Sequence, residues 1–134
     1  MKTTEIGRQG EGAACDFLIR SGYAIIARNW RCRYGEIDII AENETRIVFA
    51  EVKTRADAPY RSKYGRPALA ITSLKAEHML NCAKQYIKEQ KPDKSPRIDV
   101  IEVLTKPSDD GFVYLKINHI KAAIEDKSSS QLPM

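Results

Sequence analysis

Two apolar stretches decide the fold of this chain: GEIDIIA at residues 35–41 and VFAEVKTR at residues 48–55. Successive side chains of a strand point to opposite faces, so Glu51 and Lys53 share one face. If the two stretches pair as a hairpin, Asp38 converges with Glu51 and Lys53 stands beside them. The sequence therefore predicts a cluster of two carboxylates and one lysine.

Such a cluster suits a hard divalent cation, which prefers oxygen ligands and is often held by only one or two carboxylates. Asp38, Glu51 and the main-chain carbonyl of Val52 are the predicted ligands of Mg²⁺, with Mn²⁺ as a substitute. The alternative is an ordinary strand whose Glu51 and Lys53 form a solvated pair. Because these charges are embedded in apolar runs, and buried charges need a partner, the metal site is the sharper hypothesis.

The resemblance of this chain to a known family rests on several motifs in order: GRQGE at residues 7–11, RNWR at 28–31, GEIDIIA at 35–41 and FAEVKTR at 49–55. Together they resemble the bacterial YraN-like family of the restriction-endonuclease-like superfamily, with its Asp, Glu-x-Lys signature. Lys75 and Tyr86 also match the family pattern, whereas Leu69 and His78 depart from it.

The resemblance implies roles for particular residues. It makes Asp38, Glu51 and Lys53 the catalytic trio and Glu11 a fourth acid near the metal, although Glu11 could equally be a solvated helix residue. Glu36, on the same face as Asp38, is a secondary candidate. Since Holliday-junction resolvases share the superfamily, the resemblance also allows a homodimer with two sites across a junction.

The expected fold class is α/β, a single domain with a restriction-endonuclease-like core and a mixed sheet flanked by helices in the order α-β-β-β-α-β-β-α. Hydrophobic periodicity and turn residues set its boundaries. The domain spans residues 1–126, and residues 127–134 form a loose tail. The expected elements are a helix over 4–21, strands over 23–29, 36–41 and 46–53, a mobile loop over 54–68, a helix from Leu69 or Thr72 to Glu89, strands over 97–104 and 112–117, and a short helix from His119 to Ile124.

Charge and aromatic residues indicate a polyanionic partner, and the expected partner is DNA. The net charge is +4, and basic residues flank the predicted site on both sides together with Trp30, Tyr34, Tyr60 and Tyr64. Cations neutralise phosphates and rings stack on unpaired bases, although core packing is the favoured reading of Trp30. The predicted nucleic-acid contacts are Arg31, Arg33, Arg55, Arg61, Lys63, Arg66 and Lys75.

Several other residues are predicted to have structural roles. Three scattered cysteines, Cys15, Cys32 and Cys82, are expected to be reduced and mainly structural. Asp99 lies among apolar neighbours and is read as a buried ion-pair or edge residue in preference to an acid of the site, and His119 as a cap or surface residue. Without a long apolar run or a signal-type start, the chain is expected in the cytoplasm.

These features favour a magnesium-dependent deoxyribonuclease that hydrolyses phosphodiester bonds in branched or single-stranded DNA. Asp38 and Glu51 would hold the metal, and Lys53 would orient water or stabilise charge on the phosphate. The alternative is a catalytically weak or inactive nucleic-acid-binding module used in DNA repair, uptake or processing. A protein-interaction domain without nucleic acid is a third hypothesis.

Overall fold

A mixed five-stranded sheet and two helices make up the part of the chain that the computed structural model describes, residues 3–56, 71–109 and 111–125. This confirms the predicted mixed α/β class and the order of the first seven elements. In chain order the elements are α1 (Thr3–Arg20), β1 (Ala24–Cys32), β2 (Gly35–Glu42), β3 (Arg46–Ala56), α2 (Ser73–Gln90), β4 (Ser95–Ser108) and β5 (Gly111–Ile124).

The five strands lie side by side in chain order, β1-β2-β3-β4-β5. Neighbouring pairs are antiparallel except β3 and β4, which run parallel. A parallel pair needs a crossover connection, and α2 lies within it. The predicted hairpin between β2 and β3 is confirmed, with Ile39 opposite Ala50 and Glu42 opposite Ile47.

The helices cover different sheet residues, and strand alternation separates the two sets onto opposite faces. Leu18 of α1 belongs to a core cluster that includes Val48 and Ala50. Met79 of α2 belongs to a second cluster, which includes Ile47 and Phe49. The strands therefore read as nearly continuous apolar runs, because both of their faces are buried.

The start of α2 agrees with one of its two predicted boundaries. Thr72 is the N-cap, and its hydroxyl oxygen accepts a hydrogen bond from Lys75 N at 3.1 Å. The other predicted start, Leu69, lies outside the described residues. The helix ends at Gln90 and is capped by Lys91, which has a left-handed backbone (φ 48°) and donates from its N to Ile87 O at 2.8 Å.

The predicted short helix from His119 to Ile124 is wrong, because these residues continue β5 and pair with β4 through Ile124. Buried hydrogen bonds from this segment to β4 outweigh its local helix signal. Residues 54–56 of the predicted loop belong to β3. The rest of that loop and the predicted tail at 127–134 lie outside the described residues.

The interpretation of Asp99 as an ion-pair residue is confirmed, whereas the interpretation of His119 as a cap or surface residue is wrong. Asp99 is fully buried, and Arg97 Nε and Nη2 donate to its two carboxylate oxygens at 2.8 Å. His119 Nε2 lies 2.6 Å from Asp99 Oδ2, and its side chain is only 8% exposed. Arg97 also donates to the Tyr23 hydroxyl at 2.8 Å, so this network ties β4 to β5 and to the end of α1.

The cysteines and Trp30 contribute to packing. Cys15 is buried in the core on the α1 side, and the Sγ atoms of Cys32 and Cys82 lie 2.9 Å apart on the α2 side. Burial raises the pKa of Cys82 to about 12. Trp30 is half-buried, and its ring packs edge-on against that of Tyr86 with 5.4 Å between the ring centres. This confirms the prediction that Trp30 packs into the core. Neither helix in the described residues is long and apolar enough to cross a membrane.

Candidate active site

A fork between β2 and β3 brings the predicted acids together. Paired residues of the two strands extend to Ile39 and Ala50, beyond which β3 continues beside β4 to Ala56. At the fork the carboxylate of Asp38 replaces a main-chain partner, because Asp38 Oδ2 accepts a hydrogen bond from Val52 N at 2.8 Å. This bond fixes Asp38 beside Glu51, the residue that precedes Val52.

Glu51 is held between two lysines. Its side chain is 7% exposed, with Lys53 Nζ 3.6 Å from Oε2 and Lys75 Nζ 3.5 Å from Oε1. The Lys53 contact follows from the shared strand face that the sequence predicts. Oε1 accepts no hydrogen bond from the residues described, so this buried oxygen keeps capacity for a ligand.

The electrostatics of the acid pair are unfavourable. Burial, reinforced by the charge of Glu51, raises the pKa of Asp38 to about 7. The hydrogen bond from Val52 and the charge of Lys75 act in the opposite direction but do not offset the increase. Two carboxylates that share a site shielded from water resist being charged together, and an added cation relieves this repulsion.

Glu11 and Glu36 extend the acidic region towards α1. Burial and the charge of Asp38 raise the pKa of Glu11, while Arg28 Nη2 lies 4.0 Å from its carboxylate. In the amide orientation that satisfies its neighbours, Asn29 donates to Glu36 Oε1 at 2.8 Å and to Glu11 Oε1 at 3.2 Å. The structure thus brings both secondary candidates to the edge of the Asp38 site.

Two features of this region are not readable from strand patterns. Asn29 has a left-handed backbone (φ 52°) that asparagine tolerates better than most residues, and its amide joins the two glutamates. Gly10 allows α1 to approach β3, since a Cβ at this position would lie 1.9 Å from Thr54 Oγ1. The asparagine inside a strand and the glycine inside a helix are the signals that mark these positions.

The predicted nucleic-acid contacts have different environments. Arg31 and Arg33 are exposed, and Arg31 Nε donates to Glu36 Oε2 at 3.0 Å. Arg55 instead lies 3.8 Å from the buried carboxylate of Glu102, a residue that the sequence reasoning missed. Lys75 faces Glu51, as described above. Three further predicted contacts, Arg61, Lys63 and Arg66, lie outside the described residues.

The donor set at the fork fits a magnesium ion better than a transition metal held by protein side chains alone. No group of three histidine, cysteine or acidic side chains within residues 3–56, 71–109 and 111–125 is arranged to hold a metal. Asp38 and Glu51 supply two carboxylates, and Glu51 has a buried oxygen that accepts no hydrogen bond from the described residues. Mg²⁺ keeps several of its waters, so two carboxylates suffice. Val52 donates its N–H here, and its carbonyl stays a predicted ligand.

The fold and site define a mixed α/β protein with a partly buried carboxylate–lysine cluster at a fork in its sheet. Residues 10–103 match the family described as "Uncharacterised protein family UPF0102". A UPF0102 protein of Caldicellulosiruptor saccharolyticus is 41% identical over 92% of this chain and 99% of that protein. One of Clostridium botulinum is 45% identical over 75% of this chain and 80% of that protein. The chain therefore belongs to the UPF0102 family, which confirms the YraN-like resemblance.

The chain is also similar to a solved structure, that of Pyrococcus furiosus SfsA in complex with Ca²⁺. The similarity covers 93% of this chain, with a TM-score of 0.44 and a sequence identity of 15%. The chain spans 66% of the length of SfsA.

Proposed function

We propose that this protein is a metal-dependent deoxyribonuclease that hydrolyses phosphodiester bonds in branched or single-stranded DNA. The observation that carries the proposal is the pairing of partly buried Asp38 with buried Glu51, with Lys53 and Lys75 within 3.6 Å of Glu51. Burying two acids together is costly for stability unless a ligand uses them. Hydrolysis of a phosphodiester uses this combination of oxygen ligands and cations.

In the proposed mechanism, Asp38 and Glu51 would hold Mg²⁺ together with the carbonyl of Val52. When bound, the metal lowers the pKa of a coordinated water and stabilises negative charge on the phosphate. The hydrogen bond from Val52 N keeps Asp38 oriented without blocking its second oxygen. This pre-organisation reduces the rearrangement needed when substrate arrives.

The lysines supply positive charge at fixed positions. Lys53 is 32% exposed, and its ammonium group would orient the attacking water or stabilise charge on the phosphate oxygens. Lys75 is 38% exposed and would act from the other side of Glu51. Glu11, whose pKa is raised by burial and by Asp38, would be a nearby proton carrier, and Glu36 would support it through Asn29.

A small chain has little surface for reading base edges, so we propose selection by DNA structure in preference to DNA sequence. The exposed Arg31 lies near the end of β1, and the exposed Arg33 lies in the turn to β2 beside Tyr34. Cations and a ring at one turn suit unpaired DNA. A homodimer with two sites across a branch point would extend this selection.

One observation favours a second candidate function, a nucleic-acid-binding module with little or no catalysis. Both oxygens of Glu51 already face a lysine ammonium group, at 3.6 and 3.5 Å. In such a module these ion pairs would hold the sheet and helix together, and a metal would not be required. The two candidates differ in whether any divalent cation produces cleavage.

The test is a cleavage assay on labelled single-stranded, duplex, flapped and four-way-junction DNA with Mg²⁺, Mn²⁺ or EDTA. We expect cleavage with either metal, none with EDTA, and at least a hundredfold loss in Glu51→Gln, since this change removes a metal ligand. Glu44→Gln is the matched control, because Glu44 is exposed in the β2–β3 turn. Lys53→Ala should lose cleavage and retain DNA binding.

The outcomes separate the two candidates. Binding without cleavage under every condition, by protein with a native circular dichroism spectrum, would reject the nuclease and support the binding module. Cleavage that persists in Glu51→Gln or in EDTA would place the activity elsewhere. Absence of binding even at low salt would reject both candidates.

A further inference from the structure

A groove of about 630 Å³ lies between the β1–β2 turn and one side of α2. Arg33 and Tyr34 of the turn form one wall, and Asn81, Lys84 and Lys88 of α2 form the other. Its lining residues are separate from the acids and from Lys53 at the fork. The groove is therefore a second surface. It is formed in part by α2, the helix whose Lys75 contacts Glu51.

The walls of the groove combine positive charge with an aromatic ring. The guanidinium carbon of Arg33 lies 4.8 Å from the centre of the Tyr34 ring, and Arg33 Nη2 donates to the Tyr34 hydroxyl at 2.6 Å. Three lining residues are cationic and one, Glu89, is acidic. Gln85 Nε2 donates to the Glu89 carboxylate at 2.8 Å. The groove thus carries an excess of positive charge.

We propose that this groove binds a single-stranded segment of nucleic acid adjacent to the cleavage site, an inference that rests on the proposed function. Arg33, Lys84 and Lys88 would neutralise backbone phosphates, and Tyr34 would stack on a base. A paired ring and cation fit an unpaired strand better than a duplex, whose base faces are covered. An acidic peptide would satisfy the cations but would offer no base to stack on the Tyr34 ring.

The helix sets the distance between the two surfaces. Lys75 contacts Glu51, and Lys84 lies nine positions further along α2, which corresponds to about 14 Å of helix axis. A strand leaving the fork along α2 would therefore reach the groove within a few nucleotides. The groove would select substrates that have a single-stranded arm next to the bond that is cut.

The experiment measures binding apart from cleavage, by fluorescence anisotropy of labelled oligo-dT of 20 nucleotides with full-length protein in EDTA. For Lys84→Glu with Lys88→Glu we expect at least tenfold weaker binding, and a salt dependence whose slope falls by roughly 1.4, about 0.7 for each lost phosphate contact. Tyr34→Ala should weaken binding roughly tenfold through lost stacking. The matched control is Lys116→Glu with Lys121→Glu, two exposed β5 residues with the same change in net charge.

An equal loss of binding in the β5 control would overturn the proposal, because net charge would then explain the effect. Effective competition by poly-glutamate, with Tyr34→Ala unchanged, would overturn it in favour of an acidic peptide. Unimpaired binding by the groove variants, in protein that cleaves DNA, would reject the groove and leave the nuclease standing. Weakened binding by those variants, in protein that never cleaves, would support the groove and reject the nuclease.

Discussion

Asp99 and Asp38 are two carboxylates in the same sheet, but they differ in their hydrogen-bond partners and in the charges beside them. Asp99 accepts hydrogen bonds from Arg97 and from Ala122 N and contacts His119 Nε2, so both of its oxygens are satisfied. Among the residues that the structure describes, Asp38 accepts a hydrogen bond from Val52 N and faces the like charge of Glu51. Asp99 therefore has partners for its charge, whereas Asp38 is repelled by the charge of Glu51.

The pKa values of the two acids diverge accordingly. Burial acts to raise the pKa of Asp99, but hydrogen bonds from His119, Arg97 and Ala122 lower it overall. Burial and Glu51 raise the pKa of Asp38 to about 7. Buried charges are usually supplied with partners where stability alone matters, so a carboxylate whose pKa is raised beside a second acid is a candidate for a functional site. The comparison supports a structural role for Asp99 and the role proposed for Asp38 in the candidate site.

The largest expected effect comes from removing the satisfied acid. Asp99→Ala should destabilise the fold by about 3–5 kcal/mol, because it leaves Arg97 buried without its charge partner. Urea unfolding at pH 7 measures the change, and Asp93→Ala, at an exposed position, should stay within about 0.5 kcal/mol of wild type. The loss should shrink as the pH falls below about 4, where protonation removes the advantage of Asp99. A loss below 1 kcal/mol would contradict the structural role.

Replacing Asp38 should have the opposite effect and increase the free energy of unfolding. The raised pKa of Asp38 means that folding binds a proton between about pH 4 and 7, so this residue costs stability as the pH rises through that range. Asp38→Asn keeps an acceptor for Val52 N–H and should stabilise the metal-free protein by roughly 1–3 kcal/mol at pH 8. The gain should fade towards pH 4.

Unfolding of Asp38→Asn in EDTA at pH 8 and at pH 4.5 checks this prediction, with exposed Glu44→Gln as a control that should change little at either pH. Destabilisation at pH 8 would show that Asp38 is satisfied in a way that resembles Asp99.

A divalent cation should remove the conflict at the fork. At a Mn²⁺ concentration ten times its dissociation constant, the free energy of unfolding should rise by about 1.4 kcal/mol at pH 8. Because the cation competes with the proton on Asp38, this gain should weaken as the pH falls below about 7. Thermal unfolding with and without Mn²⁺ measures it. If Glu51→Gln responds to Mn²⁺ as wild type does, the fork is not the metal site.

The smallest effect tests how redundant the partners of Asp99 are. His119→Gln should cost about 1 kcal/mol, since Asp99 Oδ2 keeps its bond to Arg97 Nη2 and glutamine retains a donor. Urea unfolding of this variant beside Asp99→Ala gives the ratio of the two effects. A loss as large as that of Asp99→Ala would mean that His119, and not Arg97, is the principal partner.

The site was predicted in part. Residues close in sequence were placed correctly, since Glu51 and Lys53 share a strand face and the β2–β3 hairpin brings Asp38 to Glu51. Lys75 was predicted as a nucleic-acid contact from its match to the family, and the structure adds its ion pair with Glu51. That contact crosses from helix to strand, and no local pattern specifies such a distance.

What the sequence by itself determined is local. Alternation and apolar runs predicted the strands, Thr72 marked the start of α2, and the order of motifs identified the family. Tertiary structure alone decided that His119 lies in a strand against Asp99, that Asn29 joins Glu11 to Glu36, and that the β2–β3 fork opens at Asp38. Side-chain periodicity is a property of neighbouring residues, whereas the pairing of buried polar groups depends on strand register and crossovers between residues far apart in the chain.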